Sequence, residues 1–192
     1  KESWLNENQP VDFYDLKGDL ETLLSVTNKA YSFDTTEIEI LHPGQSAVIK
    51  SDGHVIGYMG KLHPGLQQKV SLGAEAFVFQ LDLYAISNRN LPEYMTLSKF
   101  PSIRRDLALV VDEMVKGGEL IDFIVKNGSG LVTDVRIFDI YKGEHLETGK
   151  KSIALAMTMQ HSEKTLEDAE INKVMDKLIN GLEHSFSATL RS

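Results

Sequence analysis

The chain has 192 residues, of which 28 are acidic and 20 are basic, so its formal net charge is −8. Hydrophobic residues make up 42% and charged residues 25% of it, a composition that excludes disordered and collagen-like chains. Because cysteine is absent, disulfide scaffolds, cysteine metal clusters and cysteine nucleophiles are excluded as well. An acidic chain is not a typical nucleic-acid binder, so a surface for a polyanion is expected only as a local patch.

The first half of the chain predicts mainly antiparallel sheet with one or two helices. Four leucines at helical spacing, from Leu16 to Leu24, predict a helix over residues 15–24. Apolar runs predict strands over residues 38–41, 46–49, 54–62 and 76–83. The Asp52-Gly53 pair between two of these runs is a hairpin signal.

The second half predicts a different arrangement. Residues 91–97 are expected to be a linker between a domain at residues 1–90 and another at residues 98–192. Beyond it we expect strands at residues 105–111, 132–141, 151–160 and 188–190, with helices at 117–126 and 166–186. The order strand–helix–strand–strand–helix–strand is the ferredoxin-like βαββαβ arrangement, and the predicted fold class is α+β.

Chemical motifs are few. Two His-Pro-Gly segments begin at His42 and His63, and we interpret them as turn signals because neither has the spacing of a metal site. No serine has the context of a nucleophile elbow or a triad. We therefore expect no catalytic residue and no metal ligand in this chain.

The ferredoxin-like half gathers cations and rings near its strand ends. We expect its first and third strands to run parallel, with the second and fourth running against them. Segments from four places then meet at one edge of the sheet. The candidate RNA-binding residues there are Phe100, Arg104, Arg105, Tyr141, Lys142, Lys150, Lys151 and Arg191. Phosphates bind cations and unstacked bases bind aromatic faces, although strand ends are also commonly charged and solvated.

Four segments carry a resemblance to a known family. They are FPSIRRDLALVVDE (100–113), IFDIYKGE (137–144), GKKSIALAMTMQ (149–160) and KTLEDAEINKVMDKLINGLEHSFSATLR (164–191). They resemble the ferredoxin-fold anticodon-binding domain that closes the beta subunit of bacterial phenylalanyl-tRNA synthetase. The segments VDFYDLKGDLETLL (11–24), LHPGQSA (41–47) and IGYMGKLHP (56–64) resemble the part just upstream, a degenerate class II synthetase-like core.

The resemblance implies a function and its partners. The parent reaction would be the ATP-dependent attachment of phenylalanine to its tRNA, with ATP and magnesium in the full enzyme and no cofactor in this part. Partners would be phenylalanine tRNA and a catalytic alpha subunit, in a cytoplasmic heterotetramer of two alpha and two beta subunits that involves no membrane. The chain begins at Lys1 rather than Met, so we expect it to be part of a longer polypeptide.

The residues agree with a catalytically silent first half. The sole arginine in residues 1–97 is Arg89, whereas phosphoryl chemistry depends on cationic clamps around the phosphates. Two alternatives stay open for the chain. The ferredoxin-like half can be a regulatory domain for a small molecule, or the whole chain can be a structural module that contacts other subunits.

Overall fold

A computed structural model of the chain describes residues 10–92, 94, 96–143 and 146–191. The chain divides into two compact units, residues 1–94 and residues 95–192. Within the described residues, no helix is both long enough and apolar enough to cross a membrane.

In its described residues, the first unit has a four-stranded antiparallel sheet and three helices. Its elements are α1 (Phe13–Ser25), β1 (Tyr31–Thr35), β2 (Leu41–Ser51), β3 (His54–Leu62), α2 (Pro64–Lys69), β4 (Phe77–Leu81) and α3 (Leu83–Ser87). The strand order is β1-β2-β3-β4, and every neighbouring pair is antiparallel.

Helix α1 is determined by its cap and its apolar stripe. The Asp12 carboxylate accepts hydrogen bonds from the amides of Tyr14 and Asp15, and this satisfies amide groups that have no partner within the helix. Leu20 and Leu24 are fully buried and pack with a cluster that includes the buried residues of β2 and β3. The predicted helix is therefore confirmed, and it begins two residues earlier than the leucine pattern alone indicates.

The strands of this unit depart from the prediction in two places. The expected strand at residues 38–41 is mostly loop, and β1 at Tyr31–Thr35 takes its place beside β2. The first His-Pro-Gly segment is no turn, since it lies within β2 at a register shift between Leu41 and Ser46. The second begins α2, where His63 is the N-cap. In both segments the histidine ring accepts a hydrogen bond from the glycine amide. The surrounding structure therefore decides whether the segment lies in a strand or begins a helix.

The hairpin prediction is confirmed. Ser51 and His54 are paired, and Asp52 and Gly53 between them have φ values of 50° and 79°. Two central residues with positive φ form the type of turn whose twist matches that of two antiparallel strands.

The second unit has the predicted βαββαβ order. Its elements are β5 (Ile103–Asp112), α4 (Gly117–Asn127), β6 (Val132–Tyr141), β7 (Lys150–Met159), α5 (Asp168–Phe186) and β8 (Thr189–Leu190). The strand order is β6-β7-β5-β8, with all neighbouring pairs antiparallel. The ferredoxin-like α+β fold class is thereby confirmed.

Alternation along the strands separates the two faces of this second sheet. Odd-numbered residues of β5 and β7, such as Leu109 and Leu155, are buried against α4 and α5. Leu120 and Ile124 of α4, with Leu178 of α5, are fully buried in the same core. Further members of this core are Leu107, Val111, Ile153, Met157, Met159, Leu166, Ile171, Val174, Leu182 and Ala188. Met157 and Met159 fill part of this core.

The start of α5 differs in one detail from the sequence prediction. The N-cap of α5 is Glu167. The Glu167 amide donates a 3.2 Å hydrogen bond to the Glu170 carboxylate, and Lys164 donates another to the same carboxylate. Helix α5 therefore starts two residues later than the apolar pattern indicates.

Strand direction is the main correction to the predicted fold. β5 and β7 were expected to run parallel, but their ten paired residues are antiparallel, from Ile103 opposite Met159 to Asp112 opposite Lys150. The physical reason lies in the connections. A helical crossover returns the chain to the end where it started, so β5 and β6, joined by α4, are the parallel pair, and β7 lies between them.

Candidate nucleic-acid interface

One face of the second sheet carries no helix of its unit, and we call it the open face. It consists of residues 104, 106, 108, 110 and 112 of β5 and residues 150, 152, 154, 156 and 158 of β7, with the residues of β6 that pair with them. Its centre holds small side chains, because Ala108, Ala154 and Ala156 occupy adjacent strands there. These alanines are half-buried, so the centre is a shallow apolar floor.

The corrected strand directions separate the eight predicted RNA-binding residues into two groups. Phe100, Arg104 and Arg105 lie near the end of the sheet where β5 begins. The other five, Tyr141, Lys142, Lys150, Lys151 and Arg191, lie toward the opposite end. Ten strand residues at about 3.3 Å each separate the two ends by roughly 30 Å. The hypothesis of a single cationic edge is therefore wrong.

Neighbouring cations in the sequence also point to opposite faces. Arg104 lies on the open face, whereas Arg105 pairs with the buried Met157 and directs its guanidinium to Asp168, 3.4 Å away at the start of α5. Lys150 lies on the open face, whereas Lys151 pairs with the buried Val111 on the helix side. The period of two along a strand produces both separations.

At one end of the open face, Arg104 contacts an aromatic ring. Its guanidinium carbon lies 5.7 Å from the centre of the Phe138 ring, and its Nε donates a 2.8 Å hydrogen bond to Asp106. β5 and β6 flank β7, so this contact crosses the middle of the sheet. Phe138 lies at a register shift between Ile137 and Asp139, and its side chain is 55% exposed. A ring and a cation are thus both accessible here.

A second pair of the same kind lies toward the other end of the open face. The Arg191 guanidinium carbon is 5.0 Å from the centre of the Tyr141 ring, and Nη1 donates a 3.4 Å hydrogen bond to Ser152. Behind the ring lies Gly143, where an added Cβ would approach the Tyr141 hydroxyl to 2.3 Å. Glycine at this position therefore gives the ring room to lie in its place.

Two further cations, Lys142 and Lys151, lie in a cluster with Glu113. Lys142 donates a hydrogen bond to Glu113, and this bond is the chief reason that the pKa of the Glu113 carboxyl lies below 4.5. Burial, with the Lys142 charge, lowers the pKa of the Lys151 ammonium from 10.5. Partial burial makes Lys151 a weaker ligand for a phosphate than a fully exposed cation.

Phe100 lies outside the open face, in the segment before β5. Its carbonyl accepts a 2.7 Å hydrogen bond from the Gln160 side chain, and its amide donates to Ser98. Ser98 in turn donates to the carbonyl of His161. The segment is thus fastened to the end of β7, with the Phe100 side chain half-buried.

Two open-face residues escaped the sequence analysis. Arg136 pairs with Ala156 and forms a 2.8 Å ion pair with Asp134, and Phe138 forms the ring contact described above. Alternation places Arg136 on this face, but the candidate residues were predicted only near the ends of strands. No sequence signal marks the register shift that sets the position of Phe138.

The first unit offers a weaker site. A shallow, open cleft is lined by Glu37, Ile38, Glu39, Leu41, Pro43 and His63. Its two carboxylates repel polyanions. In the part of the chain that the structure describes, no three histidine or acidic side chains gather in a way that suits a metal ion.

Comparisons with known proteins agree with this division. A model described as the ferredoxin-fold anticodon binding domain matches residues 98–191, and one described as the phenylalanyl tRNA synthetase beta chain CLM domain matches residues 1–83. Proteins named phenylalanine–tRNA ligase beta subunit are similar along the whole chain. Those of Pseudoalteromonas translucida and Haemophilus influenzae are 43% and 44% identical over 99% of it. That of Vibrio cholerae is 43% identical over 100% of it.

The chain spans 24% of the length of each of these three relatives. The similarity runs through both units, and the order of the two matched models is that of the two units. The chain belongs to the phenylalanyl-tRNA synthetase beta-subunit family.

Proposed function

We propose that this chain is the tRNA-binding part of a phenylalanine–tRNA ligase beta subunit, and that the open face of its second sheet holds the anticodon region. The observation that carries the proposal is the anticodon-binding match over residues 98–191, on a sheet with one face free of helices and bearing two arginine–ring pairs. Exposed rings bind unstacked bases, and exposed cations bind phosphates.

The chain contributes binding rather than bond formation in this proposal. Holding the anticodon region keeps the distant acceptor end aligned with an active site in a catalytic alpha subunit, where ATP and magnesium act. Two alpha and two beta subunits would form the complete cytoplasmic enzyme. The relatives are named as beta subunits and are about four times longer than this chain, which supports a division of labour among several parts.

We propose a narrower set of candidate RNA contacts. Arg104, Tyr141, Lys150 and Arg191 keep their proposed role because they lie on or beside the open face, and Arg136 with Phe138 join them. We propose no RNA contact for Arg105 and Lys151, which lie on the helix side of the sheet, or for Lys142, which lies beyond the end of β6. Phe100 lies off the open face, so we propose no base contact for it.

Charge predicts weak binding by the chain alone. Residues 98–192 have a net charge of −2, and Asp106, Asp112 and Asp134 lie on the same face as the cations. Affinity for isolated RNA should be modest and should fall with added salt, as expected when cations replace counterions on phosphates.

The test is a titration of the chain with the anticodon stem-loop of phenylalanine tRNA at low salt, followed by NMR chemical shifts. The same stem with another anticodon is the control. We expect shifts at Ala108, Ala154 and Ala156 and none at Leu120 of α4. Shifts confined to the helix side, or equal affinity for both anticodons, would contradict the proposal. Stabilisation by an amino acid instead would indicate a regulatory domain.

Binding of the alpha subunit without any RNA-dependent shift would indicate the structural alternative. To separate the two, the titration is repeated with the chain bound to alpha subunit. If RNA shifts stay absent in that complex, the chain contacts other subunits only.

A further inference from the structure

We propose that four charged residues of the open face admit an RNA backbone along one line only, the diagonal from Arg104 on β5 to Arg136 on β6. This inference rests on the proposed function, and it adds Asp106 and Asp134 as residues that determine which RNA is bound. The aspartates do not contact the RNA, and they act by repelling phosphates from every other line across the face.

The four residues form a regular array, because β5 and β6 pair with the same two residues of β7. Two rows cross the sheet, one through Thr158 and one through Ala156. The first row has an arginine on β5 and an aspartate on β6, and the second row has the reverse order. We call the four residues the charge array, and they are Arg104, Asp106, Asp134 and Arg136. Two arginines and two aspartates give the array no net charge.

Each arginine of the charge array is bound to the aspartate of its own strand. Nε of Arg104 donates a 2.8 Å hydrogen bond to Asp106, and Nη2 donates one of 3.5 Å to the second carboxylate oxygen. Nε of Arg136 lies 2.8 Å from the Asp134 carboxylate. All four side chains are between 46% and 78% exposed. Exposed ion pairs contribute little to stability, so each arginine can exchange its carboxylate for a phosphate at low cost.

Only one line through the charge array joins two cations. A line along either strand, or along either row, joins one arginine to one aspartate. One diagonal joins the two aspartates, and the other joins the two arginines. Because cations attract phosphates and carboxylates repel them, a backbone gains from both arginines only on the second diagonal. The next open-face residue of β6 beyond Arg136 is Asp139, which further disfavours the line along that strand.

The dimensions of the array determine how strongly the aspartates act. Neighbouring strands are about 4.8 Å apart and alternate residues of a strand about 7 Å apart, so the diagonal is roughly 12 Å long. A phosphate about 5 Å from an aspartate is repelled more strongly than a phosphate bound to an arginine, which lies about 7–10 Å from both aspartates. Salt weakens the longer-range repulsion further, because the Debye length is about 10 Å at 0.1 M.

A loop and a duplex differ in how well they can follow this diagonal. Loop nucleotides are unstacked, and their backbone can bend to place one phosphate at each arginine. A duplex has a stiff, continuous line of phosphates on each strand, so the phosphates beside an arginine lie close to the aspartates. The charge array therefore favours a loop over a duplex, although it has no net charge.

The experiment measures the affinity of the full chain for the anticodon stem-loop and for an RNA duplex of the same length, by fluorescence anisotropy at low salt. Asp106→Asn and Asp134→Asn keep the shape of the side chain and remove its charge. Each is expected to raise the affinity for the duplex about five-fold and that for the stem-loop about two-fold. The preference for the stem-loop should therefore fall, and this change should shrink as salt is added.

Asp176→Asn is the matched control, because it removes the same charge from an exposed position of α5. It should raise both affinities by the same small factor. A double variant, Arg104→Asp with Asp106→Arg, keeps the net charge and moves the cation of β5 to the other row. Both cations then lie in one row, and we expect the affinity for the stem-loop to fall about five-fold.

The outcomes separate this inference from the proposed function. If the unsubstituted chain binds neither RNA, both are overturned. If it binds the stem-loop and the asparagine variants raise both affinities equally, or by no more than Asp176→Asn, only the role of the charge array is overturned. Unchanged affinity of the double variant for the stem-loop overturns that role as well, because net charge alone would then explain binding. Thermal unfolding verifies the fold of each variant, and the asparagine variants decide the outcome if the double variant is unstable.

Discussion

The two faces of the second sheet show how one set of strands serves two purposes. The helix face buries large apolar side chains such as Leu155 and Met157, whereas the open face between the same residues has alanines at 154 and 156. The first face provides stability because burial removes apolar surface from water. The second is left shallow, with its cations and rings toward the margins. The difference teaches that residue type at alternate positions, rather than the location of a strand, distinguishes the proposed binding surface from the core.

The largest effect on stability is expected from a substitution on the helix face. Leu155→Ala leaves a cavity at a fully buried position, and we expect the free energy of unfolding to fall by about 2–5 kcal/mol. Ala154→Ser, one residue away on the open face, is the matched control and should change it by less than about 0.5 kcal/mol. Urea unfolding of both variants measures the contrast. A similar loss in both would show that the two faces are equally packed.

The next largest effect is expected at two adjacent arginines, which lie on opposite faces of the sheet. Arg104→Ala should weaken RNA binding by about 1 kcal/mol, since it removes the cation over Phe138. Arg105→Ala should leave RNA affinity unchanged and alter stability by less than about 1 kcal/mol, because its ion pair with Asp168 is exposed. Fluorescence anisotropy with labelled stem-loop RNA tests the pair. Equal losses of affinity would place both arginines at the RNA.

A smaller effect concerns Lys151 on the helix side. Burial lowers the pKa of its ammonium, so the folded state disfavours the charged form. Lys151→Met removes that cost, and we expect an increase in unfolding free energy of up to about 0.5 kcal/mol with no change in RNA affinity. Lys150→Met on the open face is the matched variant and should lower RNA affinity instead. Decreased stability of Lys151→Met would contradict this interpretation.

The smallest effect is a pH dependence at the start of α5. The Lys164 hydrogen bond lowers the pKa of the Glu170 carboxyl below 4.5, and the same bond raises the pKa of Lys164 above 10.5. The contribution of the pair to stability is therefore present between these limits. It is lost as pH falls through the folded pKa of Glu170, or rises through that of Lys164.

Glu170→Gln should accordingly flatten the acid side of the stability curve of the second unit. Glu183→Gln, near the other end of α5, is the control. Thermal unfolding followed between pH 3 and 7, on the order of one measurement per half unit, detects the difference. An unchanged acid slope in Glu170→Gln would show that the Lys164 bond does not form in solution.

Much of the second unit can be predicted from periodicity, because each helix and strand there has a regular apolar pattern. Both α5 and β6 were predicted close to their actual bounds. Strand direction was not predicted correctly, since it depends on how crossovers return the chain rather than on any local pattern. In the first unit, β1 was missed although Tyr31 and Phe33 alternate with polar residues, because a run of five residues is too short to distinguish from a loop by its pattern alone.

The binding surface was harder to predict than the fold. Arg104 and Arg105 separate by simple alternation, which the sequence argument did not apply. Phe138 depends on a register shift that the sequence does not signal. Tyr141 and Arg191 meet because β8 lies beside β5. Arg191, the residue that follows β8, extends its long side chain to Ser152. Such contacts arise from three-dimensional packing between distant segments.

Strand β8 has only two residues, and it pairs with β5 only at Leu109 and Val110, with one further bond from the Arg191 amide to the Ala108 carbonyl. So short a ladder opens at little cost, and local opening there should be frequent compared with β7, which is paired on both sides. Fraying of this tail uncovers the Tyr141 ring without disturbing the core. If the open face binds RNA as proposed, the affinity of that ring for a base includes the free energy of ordering β8 and Arg191.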